Sequence, residues 1–174
     1  VTCPTNWLCG PDVEGSLNPD LVITPFDLDR ANQILEDAGY PDTDGDGVRE
    51  TTDGTPLEFR LFYMTEFGTA FTISQLITEW LAQVGIKVSV EAQESGTWYS
   101  LVLETHDFDM AIDTEQQDID AASIDFWLSC WSAESGTAAL NFPGYCNPEV
   151  DELVYEYWFS PDPEARWEPM YQAQ

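Results

Sequence analysis

The pattern of apolar and polar residues predicts a helix followed by a strand in the first third of the chain. Asp27 is a suitable N-cap for the helix, and Gly39 provides a stop. Between them, apolar residues occur at helical spacing: Leu28, Ala31, Leu35 and Ala38. Strand-like alternation follows, with Leu57, Phe59, Leu61 and Tyr63 on one side and Glu58, Arg60 and Phe62 on the other.

The middle of the chain continues with alternating helices and strands. An apolar stripe at helical spacing ends at Gly85: Ile73, Leu76, Ile77, Trp80, Leu81 and Val84. A second strand is predicted from Ile86, a helix over residues 97–104, and a third strand over residues 108–112. This order is typical of an α/β layer. We therefore expect an α/β fold with a small mixed sheet and crossover helices on its faces.

The two ends of the chain differ from this middle part. Residues 1–26 contain four prolines and form a loop-like lead-in. Helices are predicted over residues 121–128, behind Asn147-Pro148, and from Pro163 onward. The second of these carries an apolar stripe: Val150, Leu153, Val154, Tyr157 and Trp158. We interpret residues 27–174 as a single lobe with a helical C-terminal part.

Residues 42–53 place acidic residues at the spacing of a calcium-binding loop, with Gly47 at the sharp turn. The predicted ligands are Asp42, Asp44, Asp46, the Val48 carbonyl, Glu50 and Asp53. A helix enters the loop and a strand leaves it, so the sequence does not predict an EF-hand. The interpretation is a structural Ca²⁺, and the alternative is a polar turn without metal.

Composition excludes several classes of function. The 174 residues contain 43% hydrophobic residues and a formal net charge of −28. This charge repels nucleic acid and anionic lipid surfaces, although it also suits adaptation to a salty habitat. The sequence has no apolar run long enough to span a membrane and no signal peptide. It begins without Met and ends within a helical pattern, so we expect a piece of a longer protein.

The four cysteines predict disulfides rather than a zinc site, because they form no CxxC pair and His106 is the only histidine. The simplest of three pairings is Cys3–Cys9 with Cys130–Cys146, which implies an oxidising compartment. Free buried thiols are the alternative. No enzyme is predicted, since a nucleophilic mechanism would rest on His106 alone and no Gly-rich phosphate loop follows a strand. A carboxylate-dependent glycoside hydrolase fragment and a calcium-stabilised cell-surface or carbohydrate-binding module remain alternatives.

The order of several motifs resembles the extracellular substrate-binding proteins of peptide/nickel-type ABC importers, called family 5. The matching stretches are residues 27–40, 42–50, 78–88, 96–98, 107–110 and 141–153. The resemblance implies the periplasmic-binding-protein fold, of which this chain is the C-terminal lobe. It further implies an N-terminal lobe outside this sequence, a membrane permease as partner, and an extracytoplasmic location with a lipid anchor on the longer protein.

The same resemblance implies that the ligand-contacting segment follows the third strand. Its acidic residue, which pairs with the amino terminus of a peptide ligand, falls on Asp118. Thr114 and Glu115 stand where many members have Gly-Trp, so this sequence lacks the aromatic wall of the cleft. Trp127 and Trp131 are candidate stacking residues, with helix packing as their alternative use.

Overall fold

The computed structural model describes residues 18, 20, 22, 24–113, 129–130 and 141–173. The chain divides into two compact units. The sheet unit is Pro25–Thr114, and the helical unit consists of residues 1–24 and 115–174. The helix predicted over residues 121–128 lies outside the described residues.

The first helix, α1, confirms the predicted capping signals. It spans Leu28–Asp37, and Asp27 Oδ1 accepts a hydrogen bond of 2.9 Å from the backbone N–H of Arg30. Gly39 follows with a φ of +83°, a conformation that favours glycine and ends a helix. The local sequence therefore fixes both ends of α1.

Three parallel strands form the sheet in the order β2-β1-β3. They span Glu58–Met64 (β1), Lys87–Gln93 (β2) and Met110–Ile112 (β3). Helix α2, Gly68–Ala82, connects β1 to β2. Between β2 and β3 lie the short helix α3, Ser95–Tyr99, and a π-helical turn, Ser100–Glu104. The α/β fold is thus confirmed, whereas all described strand pairings are parallel rather than mixed.

Both faces of the sheet are covered, which corrects the prediction that Phe62 lies on the polar side of β1. Leu61 packs on the α2 side with Ala70, Val88 and Ile112. Phe62 is only 2% exposed and points to the opposite face, because successive side chains of a strand alternate. Parallel sheets are normally buried on both faces, so alternation alone does not identify a solvent side.

The buried side of α2 also differs from the predicted stripe. Ala70 and Ser74 are buried, and Ile77 and Leu81 pack against the sheet. The predicted core residues Ile73, Leu76 and Trp80 are 42%, 40% and 43% exposed. Apolar residues occur around most of this helix, so periodicity cannot select the face that meets the sheet.

In the helical unit, two described helices pack together. They are α4, Pro148–Phe159, and α5, Trp167–Ala173. Their shared core contains Val154, Tyr157 and Met170. Trp158, predicted in the apolar stripe, is 47% exposed. Residues 163–166 form turns, so the last helix begins later than Pro163.

A disulfide and hydrogen bonds hold the segment before α4 in place. Cys130 and Cys146 form the predicted disulfide. The backbone N–H of Cys130 donates to Asp151 Oδ1 at 3.0 Å, and buried Asn141 donates to Ser129 O at 3.1 Å. Cys3 and Cys9 lie outside the described residues, so their pairing stays a prediction. Among the described helices, none has both the length and the apolarity needed to cross a membrane.

Candidate functional site

The acidic loop brings four of the predicted metal ligands together. Carboxylate oxygens of Asp42, Asp44, Asp46 and Glu50 all lie within 4.8 Å of one another. Oxygen ligands at this spacing suit a hard cation such as Ca²⁺. The arrangement therefore fits a cation-binding loop.

Backbone amides hold the aspartates in place. Gly45 and Gly47 donate to the two carboxylate oxygens of Asp42, at 2.7 and 3.0 Å. Asp46 N–H donates to Asp44 Oδ1, and Val48 N–H donates to Asp46 Oδ1. Both glycines have positive φ, which lets the chain turn tightly around the carboxylates. An ionised carboxylate has about four acceptor sites, so these bonds leave lone pairs for a cation.

Of the two acids predicted as ligands at the end of the loop, Glu50 lies in the group and Asp53 does not. Glu50 is 6% exposed, and its Oε2 accepts from the N–H and the hydroxyl of Thr43 at 2.7 and 2.8 Å. Asp53, the predicted last ligand, is outside the group and accepts a hydrogen bond from the Thr51 hydroxyl. That bond lowers the pKa of Asp53. Glu50, rather than Asp53, is therefore the carboxylate that closes the loop.

Arg49 fastens the acidic loop to its neighbours. Its guanidinium pairs with Glu36 at 2.9 Å and donates to the Tyr40 carbonyl, both at the end of α1. Its Nε donates to the Val84 carbonyl at 3.0 Å, in the turn before β2. One side chain thus links the loop to α1 and to the connection between α2 and β2.

The carboxyl edge of the sheet is the second candidate region. Because the three strands are parallel, the residues that follow each strand meet at one edge. The residues beyond the strand ends are 65–67, 94–95 and 113. Ligands of open α/β sheets bind in the crevice outside the carboxyl ends of the strands. We define residues 65–67, 94–95 and 113 as the carboxyl edge.

A hydrogen-bonded pair connects two of these turns. Glu66 Oε1 accepts from the Ser95 hydroxyl at 2.7 Å and from the Ser95 N–H at 3.3 Å. The hydroxyl bond is the main cause of a lowered pKa of Glu66. The sequence analysis missed Glu66, although an acid just after an apolar strand was the available signal. This exposed carboxylate stays ionised and is tied to the start of α3.

The four predicted ligand residues lie outside the described residues: Glu115, Asp118, Trp127 and Trp131. Their segment follows β3, whose last residue, Ile112, stands at the carboxyl edge. Their role in ligand binding therefore remains a prediction.

At the amino-terminal ends of β1 and β3, charged side chains stabilise the pairing of the two strands. Arg60, near the start of β1, pairs with Asp107 at 2.8 Å and with Asp109 at 3.3 Å, just before β3. Hydrogen bonds to these two aspartates raise the pKa of Arg60. The acids of the Asp-Phe-Asp-Met motif thus align β3 beside β1.

Two known proteins are similar to this chain in sequence. The glutathione-binding protein GsiB of Pectobacterium atrosepticum is 26% identical over 143 residues, covering 73% of this chain and 23% of the relative. The oligopeptide-binding protein AppA of Bacillus subtilis is 25% identical over 151 residues, covering 87% and 26%. The chain therefore spans about a quarter of the length of these relatives.

Solved structures agree with this relationship. AppA in complex with a nonapeptide superposes with a TM-score of 0.75 and 23% identity, covering 88% of this chain and 30% of AppA. A mannohexaose-bound periplasmic oligopeptide-binding protein from Thermotoga maritima gives a TM-score of 0.74 and 25% identity, covering 84% and 28%. Residues 3–162 match the family described as bacterial extracellular solute-binding proteins, family 5 middle. The chain belongs to this family of extracellular solute-binding proteins.

Proposed function

We propose that this chain forms one wall of the ligand cleft in a longer solute-binding protein that serves an ABC importer. Family membership and the coverage of about a quarter of each relative support this proposal. In such a clamp, ligand bridges two lobes and the closed form docks on a membrane permease. The carboxyl edge of the parallel sheet is the surface that faces the ligand in this proposal.

The observation that carries the proposal is the continuity of that edge with the segment after β3. Glu66 and Ser95 connect two turns of the edge, and Ile112 ends the third strand there. The chain then continues toward Glu115 and Asp118. A carboxylate that pairs with an ammonium group in a closing cleft supplies a charge-assisted hydrogen bond.

An oligopeptide with a free amino terminus is the ligand that we propose. Asp118 would pair with that terminus, and AppA, a relative in sequence and fold, is an oligopeptide-binding protein. An oligosaccharide is the second candidate, because the Thermotoga maritima relative holds mannohexaose.

Calorimetry on the intact protein tests the proposal. We expect a mixed peptide pool to bind, and Asp118→Ala to weaken that binding by more than about tenfold, or about 1.4 kcal/mol. N-acetylated peptides are the matched control and should bind wild type and variant equally. Binding of mannohexaose without peptide binding would favour the sugar candidate, and equal peptide affinity of wild type and variant would refute the role of Asp118.

We also propose that the acidic loop holds a structural Ca²⁺ through Asp42, Asp44, Asp46 and Glu50. The convergence of their oxygens and the burial of Glu50 support this. The Val48 carbonyl is proposed as a further ligand, as the loop spacing predicts. The loop lies on the α1 side of the sheet unit and contains no residue of the carboxyl edge, so the ion would stabilise the fold rather than contact the ligand.

A further inference from the structure

Helix α4 exposes large aromatic side chains next to acids. Tyr155 and Phe159 are 63% and 68% exposed, with ring centroids 4.5 Å apart, and Trp158 is 47% exposed. Glu152 and Glu156 are also exposed and lie on the same side of the helix, because residues three and four apart are neighbours. We call Glu152, Tyr155, Glu156 and Phe159 the outer face of α4, and Trp158 lies at its border, beside the buried Tyr157.

The outer face lies opposite the side that packs into the fold. Val154 and Tyr157 are buried against α5, together with Met170. The Tyr155 and Phe159 rings do not belong to this core, whereas the Trp158 ring contacts Tyr157 edge to face. Aromatic residues are enriched at the centres of protein interfaces, where they contribute most of the binding energy.

The charge of α4 indicates which kind of partner its exposed surface would bind. Helix α4 contains four acidic residues and no basic residue: Glu149, Asp151, Glu152 and Glu156. A basic side chain can pair with such carboxylates while it lies over an aromatic face. A second copy of the chain would bring the same acids together, and its net charge of −28 adds further repulsion.

We propose that the outer face of α4 docks a polypeptide segment that carries lysine or arginine beside apolar side chains. The apolar side chains pack on Tyr155, Trp158 and Phe159, and the cations pair with Glu152 and Glu156. This inference rests on α4 alone and does not depend on the identity of the cleft ligand.

Helix α2 provides an internal comparison. Its exposed residues Ile73, Leu76 and Trp80 form an apolar surface, but the helix contains a single acid, Glu79. A surface with little charge should not distinguish basic from acidic partners. Substitutions there are therefore the matched control for the proposal.

Footprinting and binding on the intact protein test the inference. The probe is an amphipathic helical peptide of leucine and lysine, and its control is the same peptide with glutamate in place of lysine. Hydroxyl-radical oxidation should reach Tyr155 and Phe159 in the absence of peptide and fall when the lysine peptide is added. Protection before any peptide is added would mean that the protein's own chain or a second copy covers the face, and would overturn the proposal.

The affinity of the lysine peptide for variants then tests whether it binds at the outer face. In about 0.5 M NaCl, which screens exposed charges, Tyr155→Ser with Phe159→Ser should weaken the lysine peptide by at least about tenfold. Leu76→Ser with Trp80→Ser should not change its affinity. At low ionic strength, where exposed charges are not screened, the isosteric pair Glu152→Gln and Glu156→Gln should weaken binding without altering the packing of α4. Equal losses in the α4 and α2 variants, or no loss in any variant, would show nonspecific attraction and overturn the proposal.

Discussion

The acidic loop and the carboxyl edge both present carboxylates in turns, but they are built over different ranges of the sequence. In the loop, the four grouped carboxylates lie within nine residues, and backbone amides of the same loop donate to all four of them. At the edge, Glu66 meets Ser95 across 29 positions, and only the parallel pairing of β1 with β2 brings them together. Local spacing is therefore enough to predict the loop, whereas the edge depends on the whole sheet.

The acidic loop and the carboxyl edge also differ in how their carboxylates are stabilised. The loop concentrates carboxylates within 4.8 Å of one another, an arrangement that a divalent cation relieves. The exposed Glu66 is instead stabilised by hydrogen bonds from one serine. We expect the loop to respond to metal ions and the edge to respond to ligand.

The largest loss of stability should come from removing the side chain that links the acidic loop to its neighbours. Arg49→Met removes hydrogen bonds to the Tyr40 and Val84 carbonyls and to Asn32 Oδ1, and the pairing with the exposed Glu36. At about 1 kcal/mol for each of the three hydrogen bonds, and with little from the exposed pair, the free energy of unfolding should fall by about 3 kcal/mol. Arg30→Met, on the exposed side of α1, is the matched control and should change it by less than about 0.5 kcal/mol. Urea denaturation measures both, and equal losses would mean that Arg49 does not fasten the loop.

Calcium should give the next largest effect. Free calcium at about 100 times its dissociation constant should add about 2.7 kcal/mol to the free energy of unfolding, since the ion binds the folded form. Asp44→Ala should abolish this response, whereas Asp53→Ala should preserve it, because Asp53 lies outside the grouped ligands. Thermal melts with calcium and with chelator provide the measurement. A melting temperature indifferent to both would exclude a Ca²⁺ site.

The smallest effect on stability should come from the titration of Glu66 at the carboxyl edge. The Ser95 hydrogen bonds lower the pKa of Glu66 from its ordinary value of 4.5. Glu66 therefore adds stability that is present above pH 4.5 and is lost as the pH falls through the lowered pKa of the folded state. Ser95→Ala should raise the pKa of Glu66 toward 4.5 and reduce this contribution, while the Ser95 backbone N–H still donates. An NMR titration of the Glu66 carboxyl carbon checks this, and an unchanged pKa in the variant would contradict the pairing.

The sequence predicted those features that depend on local chemistry. The N-cap Asp27, the helix stop Gly39, the grouped ligands of the acidic loop and the Cys130–Cys146 bridge all agree with the structure. They depend on short spacings or on the simplest pairing of cysteines.

The errors arose where the burial of a side chain depends on distant elements. Phe62 is buried because both faces of a parallel sheet are normally covered, which strand alternation cannot reveal. Trp80 and Trp158 are exposed because their helices meet the fold with other sides. Glu66 was missed for the same reason, since its partner Ser95 belongs to a different turn.

Hydrogen–deuterium exchange on the intact protein tests the central claim that ligand binds at the carboxyl edge. A ligand identified by calorimetry should slow the exchange of backbone amides in residues 65–67, 94–95 and 113, and leave residues 42–50 unchanged. Calcium should have the reverse effect, with slower exchange in residues 42–50 and little change at the edge. Ligand binding without any protection at the carboxyl edge, or protection confined to the acidic loop, would contradict the account.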